Sequence, residues 1–289
     1  MTVAVIGSSG QLGKAITTVF DEIQTNYIGI SREDWDMDLA PSQAHELLLN
    51  IKPDIVINTA AYTAVDDAER NADSVYRING TAVNYLSQAC NHLDVPLVQI
   101  STDYVFDGRK EGQYCETDSP NPLSVYGKSK LLGEGYASTC RRHIILRTSA
   151  VFSRSSKNFV TTMLELMASK KKIHVVQDQF MGPTSSISIA RALAKMLASG
   201  LIKHPRYSGI YHFAGKPHVS WFELAQYIQQ EVTKSKTMIV PCSSDYFSSV
   251  AERPLNSRLS YTKIEDVFGV DECDWKAMLK MEFESNHLI

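Results

Sequence analysis

The chain has 289 residues, of which 44% are hydrophobic and 21% are charged, and its formal net charge is -3. These values are typical of a soluble globular protein, and they provide no basic surface for a nucleic-acid backbone. The sequence contains neither an apolar run of the roughly 20 residues that a membrane span needs nor a basic N-terminal leader. We therefore expect a cytoplasmic protein that binds neither nucleic acid nor a membrane.

The cysteines and histidines do not suggest a metal centre. The five cysteines are an odd number and include no Cys-x-x-Cys pair, and the eight histidines do not cluster. This pattern favours reduced thiols over a disulfide framework or a zinc site.

Short β-rich runs alternate with longer amphipathic stretches in the first half of the chain. The predicted strands cover residues 3–6, 27–30, 55–58, 97–101 and 144–147. Nearly continuous apolar strands with helical connections are typical of a parallel sheet that is covered on both faces. The sequence therefore predicts an α/β protein with a doubly wound parallel sheet.

Beyond about residue 150 the alternation loosens. Helical stretches lie near residues 157–169, 186–200 and 219–231, and a Pro- and Ser-rich segment covers residues 241–260. We interpret residues 1–150 as the domain built on the sheet. Residues 151–289 are interpreted as mainly a smaller lobe, interleaved with the first domain, that covers the carboxyl edge of the sheet.

A glycine-rich turn directly follows the first predicted strand. Gly7, Gly10 and Gly13 form a Gly-x-x-Gly-x-x-Gly motif, and Gln11 and Leu12 open the next helical stretch. Such a turn lets the backbone approach a pyrophosphate closely, and the following helix N-terminus offers free N–H groups to the anion. The motif predicts a Rossmann domain that binds a dinucleotide.

The second strand ends at Ser31 and Arg32, where an NAD site usually carries an acidic residue for the ribose 2′-hydroxyl. Serine and arginine suit a 2′-phosphate instead. We therefore expect NADPH as the cofactor, with NADH as an alternative. In the competing interpretation, Arg32 is an ordinary solvated surface residue without a role in cofactor binding.

Two further groups of residues are candidates for cofactor contacts. Asp38 and Leu39 follow the second strand by a few residues. Small residues at the end of the third strand would let an adenine or nicotinamide ring pass close to the backbone, and these are Ala60 and Ala61, followed by Tyr62.

The stretch Ser-Val-Tyr-Gly-Lys-Ser-Lys places Tyr126 and Lys130 four residues apart. On a helix, two side chains at this spacing share a face. Chance also produces this spacing, so the pair alone is weak evidence for catalysis.

Four motifs occur together and in a fixed order along the chain. They are the glycine-rich turn, Asn-x-Ala-Ala-Tyr at residues 58–62, Ser-Thr-Asp-Tyr-Val-Phe at residues 101–106, and Tyr-x-x-x-Lys. In this combination the chain resembles the extended short-chain dehydrogenases/reductases, and more narrowly the dTDP-4-dehydrorhamnose reductase family. The resemblance continues through Asn121-Pro122-Leu123, Gly133-Glu134, Arg147-Thr148-Ser149, Asn158-Phe159, Asp178-Gln179, Pro183-Thr184, Gly209-Ile210-Tyr211-His212 and Arg253-Pro254.

The resemblance implies NADPH-dependent reduction of a nucleotide-linked 4-keto-6-deoxy sugar, as in the conversion of dTDP-4-dehydrorhamnose to dTDP-L-rhamnose. It implies that Thr102, Tyr126 and Lys130 are catalytic. In that case Tyr126 protonates the carbonyl oxygen, and Lys130 stabilises the phenolate and contacts the nicotinamide ribose. The Thr102 hydroxyl would orient the substrate oxygen.

The same resemblance implies a set of substrate contacts and makes the C-terminal lobe the substrate-binding part. The implied contacts are Asp66, Thr102, Asp103, Tyr104, Asn158, Gln179 and Arg253. Of these, Asp66, Asn158, Gln179 and Arg253 are equally compatible with ordinary surface or capping roles. Asn79 is expected to help organise a proton relay.

Two other functions remain open at this stage. One is a nucleotide-sugar epimerase or dehydratase on the same scaffold, which would keep NAD bound through its cycle. The other is a non-catalytic NADP-binding regulatory subunit that resembles the one of methionine adenosyltransferase. The Ser31-Arg32 pair argues mildly against the first, and the intact catalytic set argues against the second.

The sequence departs from the family in two places. Some members pair through a metal held by acidic residues near the first helix, whereas this chain has Gly13-Lys14-Ala15, so we expect no such metal and either a monomer or a homodimer. After Arg147-Thr148-Ser149 the rhamnose-pathway reductases typically carry a tryptophan. This chain has Ala150, and Tyr104, Phe106 and Phe152 are the candidates to fill the space.

Overall fold

The computed structural model describes residues 1–283, and residues 284–289, the end of the predicted C-terminal lobe, lie outside them. The strands are β1 Thr2–Ile6, β2 Asn26–Ile30, β3 Ile55–Asn58, β4 Leu97–Thr102, β5 His143–Thr148, β6 Val151–Phe152, β7 Lys172–Val176, β8 Phe180–Met181, β9 Thr184–Ser185, β10 Gly209–His212, β11 Val219–Ser220, β12 Met238–Cys242 and β13 Asn256–Ser257.

The α-helices are α1 Gln11–Glu22, α2 Ala44–Ile51, α3 Val65–Ala68, α4 Ala72–Tyr76, α5 Ala82–His92, α6 Val125–Ala137, α7 Phe159–Ser169, α8 Ser186–Ala198, α9 Trp221–Tyr227, α10 Thr262–Phe268 and α11 Trp275–Phe283. Turns of 3₁₀ or π type cover Pro41–Gln43, Arg77–Thr81, Asp103–Val105, Leu201–Lys203, Pro205–Tyr207, Ile228–Thr233 and Ser244–Tyr246.

The main sheet has six strands in the order β10-β5-β4-β3-β1-β2, and every neighbouring pair in it is parallel. The α/β class and the doubly wound parallel sheet are therefore confirmed. The five predicted strands all occur, with ends that differ by at most one residue. The sixth strand, β10, comes from the second half of the chain and is not among the predicted strands.

Both faces of the sheet are buried, as the apolar strands predict. Val3 and Val5 of β1 belong to a core formed with α1 and α8, whereas Ala4 and Ile6 point to a second core formed with α2 and α5. The order of the strands reverses between β1 and β3, and in such sheets ligands bind in the crevice at the carboxyl ends of the strands.

The second half of the chain contributes to both parts of the molecule. Helix α8 packs on α1 beside the main sheet. Helices α7, α9 and α11 form a separate core with the parallel pair β7 and β12, and buried Phe152, Met163 and Trp275 lie in it. A small sheet in the order β11-β8-β13 completes this lobe.

Within residues 1–283, the helices are too short or too polar to cross a membrane. The five cysteines are free thiols, and all of them except Cys115 are buried. The same residues contain no group of three or more His, Cys, Asp or Glu side chains arranged to hold a metal ion.

Candidate active site

A cavity of about 690 Å³ opens at the carboxyl ends of β1, β3, β4 and β5 and extends into the C-terminal lobe. Its volume lies in the range of small-molecule sites, about 300–1,000 Å³. Most of the predicted cofactor, catalytic and substrate residues line it, namely Gly7, Gly10, Gln11, Leu12, Ser31, Arg32, Asp38, Ala60, Ala61, Tyr62, Thr102, Asp103, Tyr104, Tyr126, Lys130, Asn158 and Gln179.

Four predicted residues do not line the cavity. Gly13 lies beneath the glycine-rich turn, and Leu39 is 83% exposed on the outer surface. Asp66 and Arg253 pair with each other, with 2.5 Å between Arg253 Nη2 and Asp66 Oδ2. This pair ties the segment before β13 to α3, and Arg253 also contacts the side chain of Tyr104, which does line the cavity.

The glycine-rich turn is shaped by two close backbone approaches. Gly7 has φ +80, and a Cβ there would lie 2.7 Å from the backbone nitrogen of Ala60. A Cβ on Gly13 would lie 2.1 Å from the carbonyl oxygen of Gly7. Any larger residue at either position would displace the backbone. Helix α1 then begins at Gln11 without a side-chain cap for its first N–H groups, and Gln11 and Leu12 line the cavity.

The part of the cavity that follows β2 contains more acidic side chains than the sequence predicted. Arg32 is 75% exposed, and its Nε donates to Asp36 at 3.1 Å. Asp38 accepts from the Ser74 hydroxyl and from Arg77 Nε, both at 2.6 Å. Asp36 also lines the cavity. Sequence reasoning missed Asp36, because it lies in a loop without a motif.

The predicted catalytic residues meet at the ends of β4 and α6. Thr102 is the last residue of β4, and Tyr126 lies in the first turn of α6, which Ser124 caps by accepting from the Gly127 N–H. Gly127 is required there, because a Cβ would lie 2.3 Å from the carbonyl oxygen of Tyr104. Lys130 follows one turn later and donates to the carbonyl of Ile100 at 2.7 Å.

The surroundings shift the pKa values of both Tyr126 and Lys130. Burial raises the pKa of the Tyr126 phenol to about 12; the hydrogen bond with Thr102 acts to lower it, and the charge of Asp103 to raise it. Burial lowers the pKa of Lys130 to about 8, and the Glu134 carboxylate acts in the opposite direction. Tyr126 therefore holds its proton at neutral pH, whereas Lys130 titrates close to neutrality.

Asp103 is a buried carboxyl beside this group. It accepts from the Thr102 hydroxyl at 2.9 Å and from the Ser149 hydroxyl at 2.7 Å. Burial raises its pKa, against the hydrogen bonds from Ser149, Ser257 and Thr102. Asp103 fixes the Thr102 side chain, which also accepts the Tyr104 N–H at 3.2 Å.

A buried ion pair lies behind Lys130. Arg147 donates to both oxygens of Glu134, at 2.8 and 2.6 Å, and the Ser101 hydroxyl donates to the same carboxylate at 2.5 Å. His212 lies 3.4 Å from Arg147, and burial together with the positive charge of Arg147 lowers its pKa to about 3. The dipeptides Gly133-Glu134 and Arg147-Thr148 pointed to these residues only through the family resemblance.

Asn79 lies in the π-turn Arg77–Thr81 and is buried. Its side chain accepts from the Tyr62 N–H at 2.8 Å and donates to the Tyr62 carbonyl and to the Ser129 hydroxyl at 3.1 and 3.0 Å. Asn79 thus ties the cofactor half of the cavity to α6, while its proposed part in a proton relay stays a prediction.

The lobe side of the cavity is lined by Asn158, Gln179 and aromatic side chains. Asn158 caps α7 and donates to the Ser153 and Ser156 carbonyls, so its side chain shapes the loop at the cavity rim. Among the three residues predicted to replace the missing tryptophan, Tyr104 and Phe152 line the cavity, whereas Phe106 stacks on Tyr114 at 4.1 Å.

Ala150 lines the cavity and adopts φ +44. Phe159 and Trp221, with ring centroids 4.5 Å apart, provide a further aromatic surface that the sequence analysis did not anticipate. These two rings come from α7 and α9, so no local motif could have placed them together in this cavity.

A glycine-rich turn at the first strand of a doubly wound sheet, with a threonine, a tyrosine and a lysine across one cavity, is typical of dinucleotide-dependent dehydrogenases and reductases. The fold and the site therefore define the chain as a protein of this class.

Comparison with known proteins defines the family. The RmlD substrate binding domain family matches residues 1–287. A dTDP-4-dehydrorhamnose reductase from Aggregatibacter actinomycetemcomitans is 37% identical over 283 residues, which cover 96% of each chain. The chain therefore belongs to the dTDP-4-dehydrorhamnose reductase family, as the motifs predict.

Two solved structures of dTDP-4-dehydrorhamnose reductases are similar to nearly the whole chain. The one from Clostridium acetobutylicum ATCC 824 has a TM-score of 0.88 and 33% identity over 98% of each chain. The one from Bacillus anthracis str. Ames, in complex with NADP, has a TM-score of 0.88 and 30% identity over 97% of this chain and 98% of that chain.

Proposed function

We propose that this protein is an NADPH-dependent reductase that converts dTDP-4-dehydrorhamnose to dTDP-L-rhamnose. The observation that carries the proposal is the arrangement of Thr102, Tyr126 and Lys130 where the dinucleotide half of the cavity meets the lobe. The similarity to dTDP-4-dehydrorhamnose reductases supports the proposal, and so does the NADP complex of the Bacillus anthracis protein.

The residues present fit a dinucleotide. The turn at Gly7 and Gly10 presents backbone rather than side chains, and the first turn of α1 leaves its N–H groups free for phosphate oxygens. Ser31 and Arg32 line the cavity at the end of β2, where the adenosine ribose lies in this fold. Bound NADPH supplies a hydride for a carbonyl carbon.

The remaining chemistry belongs to the side chains. With its pKa raised to about 12, the Tyr126 phenol keeps a proton to donate as negative charge develops on the sugar carbonyl oxygen. To hold that oxygen in place, the Thr102 hydroxyl must turn to it the proton that it donates to Asp103 at 2.9 Å. Lys130, held by the Ile100 carbonyl, stands one turn from Tyr126 to contact the nicotinamide ribose and to stabilise the phenolate left after transfer.

The lobe side of the cavity suits the nucleotide sugar. Gln179 and Asn158 supply amide groups there, and the ring pair of Phe159 and Trp221 supplies a flat apolar surface. We assign Asp66 and Arg253 a positioning role, because they hold the segment before β13 and Arg253 contacts Tyr104.

The other functions consistent with the fold are less well supported. An epimerase or dehydratase keeps its cofactor through a redox-neutral cycle, and a regulatory subunit needs no proton donor. The complete set of Thr102, Tyr126 and Lys130 favours an enzyme, and Ser31 with Arg32 favours an exchangeable phosphorylated cofactor. We further propose a cytoplasmic location, a monomer or homodimer, and no metal requirement.

The test is NADPH oxidation measured against a panel of 4-keto-6-deoxy nucleotide sugars that includes dTDP-4-dehydrorhamnose. The proposal expects the highest kcat/KM for that substrate and unchanged activity after treatment with a chelator. Oxidation that is absent with every sugar of the panel would overturn it.

Replacing Arg32 with alanine is expected to narrow the preference for NADPH over NADH. The Arg32–Asp36 pair is exposed and weak, so the guanidinium is free to turn to a 2′-phosphate. One charge-assisted hydrogen bond of about 1.4 kcal/mol corresponds to about a tenfold loss of NADPH affinity. Calorimetric titration measures the affinities for both cofactors in the wild type and in the variant. The exposed Arg191 on α8 provides the control variant Arg191→Ala. Equal affinities in the wild type would contradict this assignment.

Replacing Ala150 with tryptophan is expected to lower the KM for dTDP-4-dehydrorhamnose. Ala150 lines the cavity, and an indole there adds a stacking surface worth about 0.5–1.5 kcal/mol, up to about tenfold in affinity. Ala150→Leu is the control, since it carries the same backbone strain at φ +44 without the flat ring. A collapse of activity with Ala150→Trp alone would indicate a bulkier natural sugar.

A further inference from the structure

Lys130 and Glu134 are both buried and lie one turn apart on α6. Side chains four residues apart share one face of a helix. Each of the two also holds the end of β4: Lys130 donates to the Ile100 carbonyl at 2.7 Å, and Glu134 accepts from the Ser101 hydroxyl at 2.5 Å. The ammonium group and the carboxylate are therefore bound to consecutive residues of β4, directly before Thr102.

A buried ammonium group needs a negative charge nearby to keep its proton. Burial drives the nearby Asp103 carboxyl towards its neutral form, because it raises the pKa of that group. Glu69, at the end of α3, accepts from the Val125 N–H at 2.8 Å, in the first turn of α6. The charge that raises the pKa of Lys130 against burial is that of Glu134.

The other elements that pack on α6 bring no charge into this part of the core. Strand β4 contains no titratable side chain, and α5 contains no Asp, Glu, Lys or Arg. The charged side chains of α3, α4 and the π-turn, together with His92 of α5, lie at the surface: Asp67, Asp73, Arg77 and His92 are exposed, and Asp66 pairs with Arg253.

Arg147, on β5, explains how a carboxylate persists in this core. It is 1% exposed and donates to both oxygens of Glu134. His212 lies on its other side at 3.4 Å and adds no positive charge at neutral pH, because its pKa is lowered to about 3. Without the guanidinium, a buried carboxylate would favour its neutral form. The charge on Lys130 therefore depends on Arg147 through Glu134.

We propose that Glu134 and Arg147 are positioning residues for the proton transfer: Arg147 keeps the Glu134 carboxylate charged, and that charge keeps Lys130 an ammonium group beside Tyr126. Neither residue contacts the reacting atoms. An ammonium group stabilises the Tyr126 phenolate that remains after the transfer, whereas a neutral amine does not. The inference rests on the proposed reductase function.

Two measurements follow the proton on Lys130. One is the pH dependence of kcat/KM for the reduction of dTDP-4-dehydrorhamnose by NADPH. The other is a ¹³C NMR pH titration of labelled lysine in the protein without cofactor, in which the Lys130 signal is the one that Lys130→Arg lacks. In the wild type, activity should fall and the signal should shift as the pH rises through about 8, the pKa of Lys130. In Glu134→Gln both transitions should move to lower pH by about one to three units, the usual effect of losing an opposite charge.

Two further variants separate the charge from the structure. Glu134→Leu with Arg147→Met removes both charges and should fold, since apolar replacements of buried pairs are often tolerated. Its transitions should move in the same direction as those of Glu134→Gln. Arg147→Lys keeps both charges but loses the bidentate geometry, so it should lower the urea midpoint and leave both transitions in place. Glu69→Gln is the matched control, because it neutralises another carboxylate bound to α6, and it should move neither transition.

An unshifted Lys130 titration in both Glu134→Gln and the double variant would overturn the inference. A shift in Arg147→Lys as large as that in Glu134→Gln would overturn it as well, because the effect would then follow the geometry of the pair rather than its charge. If the wild type reduces no sugar, the proposed function fails, and the NMR titration still decides this inference.

Discussion

Replacing Tyr126 with phenylalanine is expected to lower kcat by about 10²- to 10⁴-fold, the usual contribution of one positioned acid, while NADPH affinity stays nearly unchanged. The change removes one hydroxyl and leaves the ring, which contacts Tyr104 edge-on at 5.8 Å between centroids. Single-turnover kinetics with dTDP-4-dehydrorhamnose isolates the chemical step from product release.

Tyr104→Phe is the control for this substitution. Burial raises the pKa of the Tyr104 phenol well above its usual value, and Tyr104 lines the same cavity, so it is the competing proton donor. We expect Tyr104→Phe to change mainly KM, because the phenol contacts Arg253. The opposite pattern, in which Tyr104→Phe abolishes turnover and Tyr126→Phe retains it, would transfer the acid role to Tyr104.

The largest effect on stability is expected from Glu134→Ala. Glu134 is the partner of Arg147 in a fully buried pair with two hydrogen bonds. Removing one partner leaves a buried charge without compensation, which typically costs about 3–5 kcal/mol in the free energy of unfolding. Urea denaturation of the wild type and the variant measures the difference.

The double variant Glu134→Leu with Arg147→Met is the matched comparison. An apolar pair of similar volume removes both charges, and such replacements are often neutral or stabilising. The double variant should therefore recover most of the stability that Glu134→Ala loses. An unchanged urea midpoint for Glu134→Ala would contradict the claim that Glu134 stabilises the fold by compensating the buried charge of Arg147.

The parts of the molecule that the sequence predicted are those with local signals. The glycine-rich turn, the apolar strands and the spacing of Tyr126 and Lys130 are each written within a few consecutive residues. Strand β10 escaped prediction because Gly209–His212 lacks the continuous apolar run of a strand such as β3, and it owes its place to pairing with β5 across more than sixty residues of chain.

The unpredicted parts of the site depend on contacts between distant elements. Arg147 reaches Glu134 from β5 to α6, and Trp221 reaches Phe159 from α9 to α7.

The hydrogen that the reaction transfers provides the most direct test of the proposed reductase activity. NADPH deuterated at the transferable position of its nicotinamide is incubated with the protein and dTDP-4-dehydrorhamnose, and the sugar product is analysed by NMR. We expect dTDP-L-rhamnose with deuterium at C4 of the sugar, one NADPH oxidised per sugar reduced, and loss of both with Tyr126→Phe. Sugar conversion without deuterium or NADPH consumption, or NADPH binding without any conversion, would contradict it.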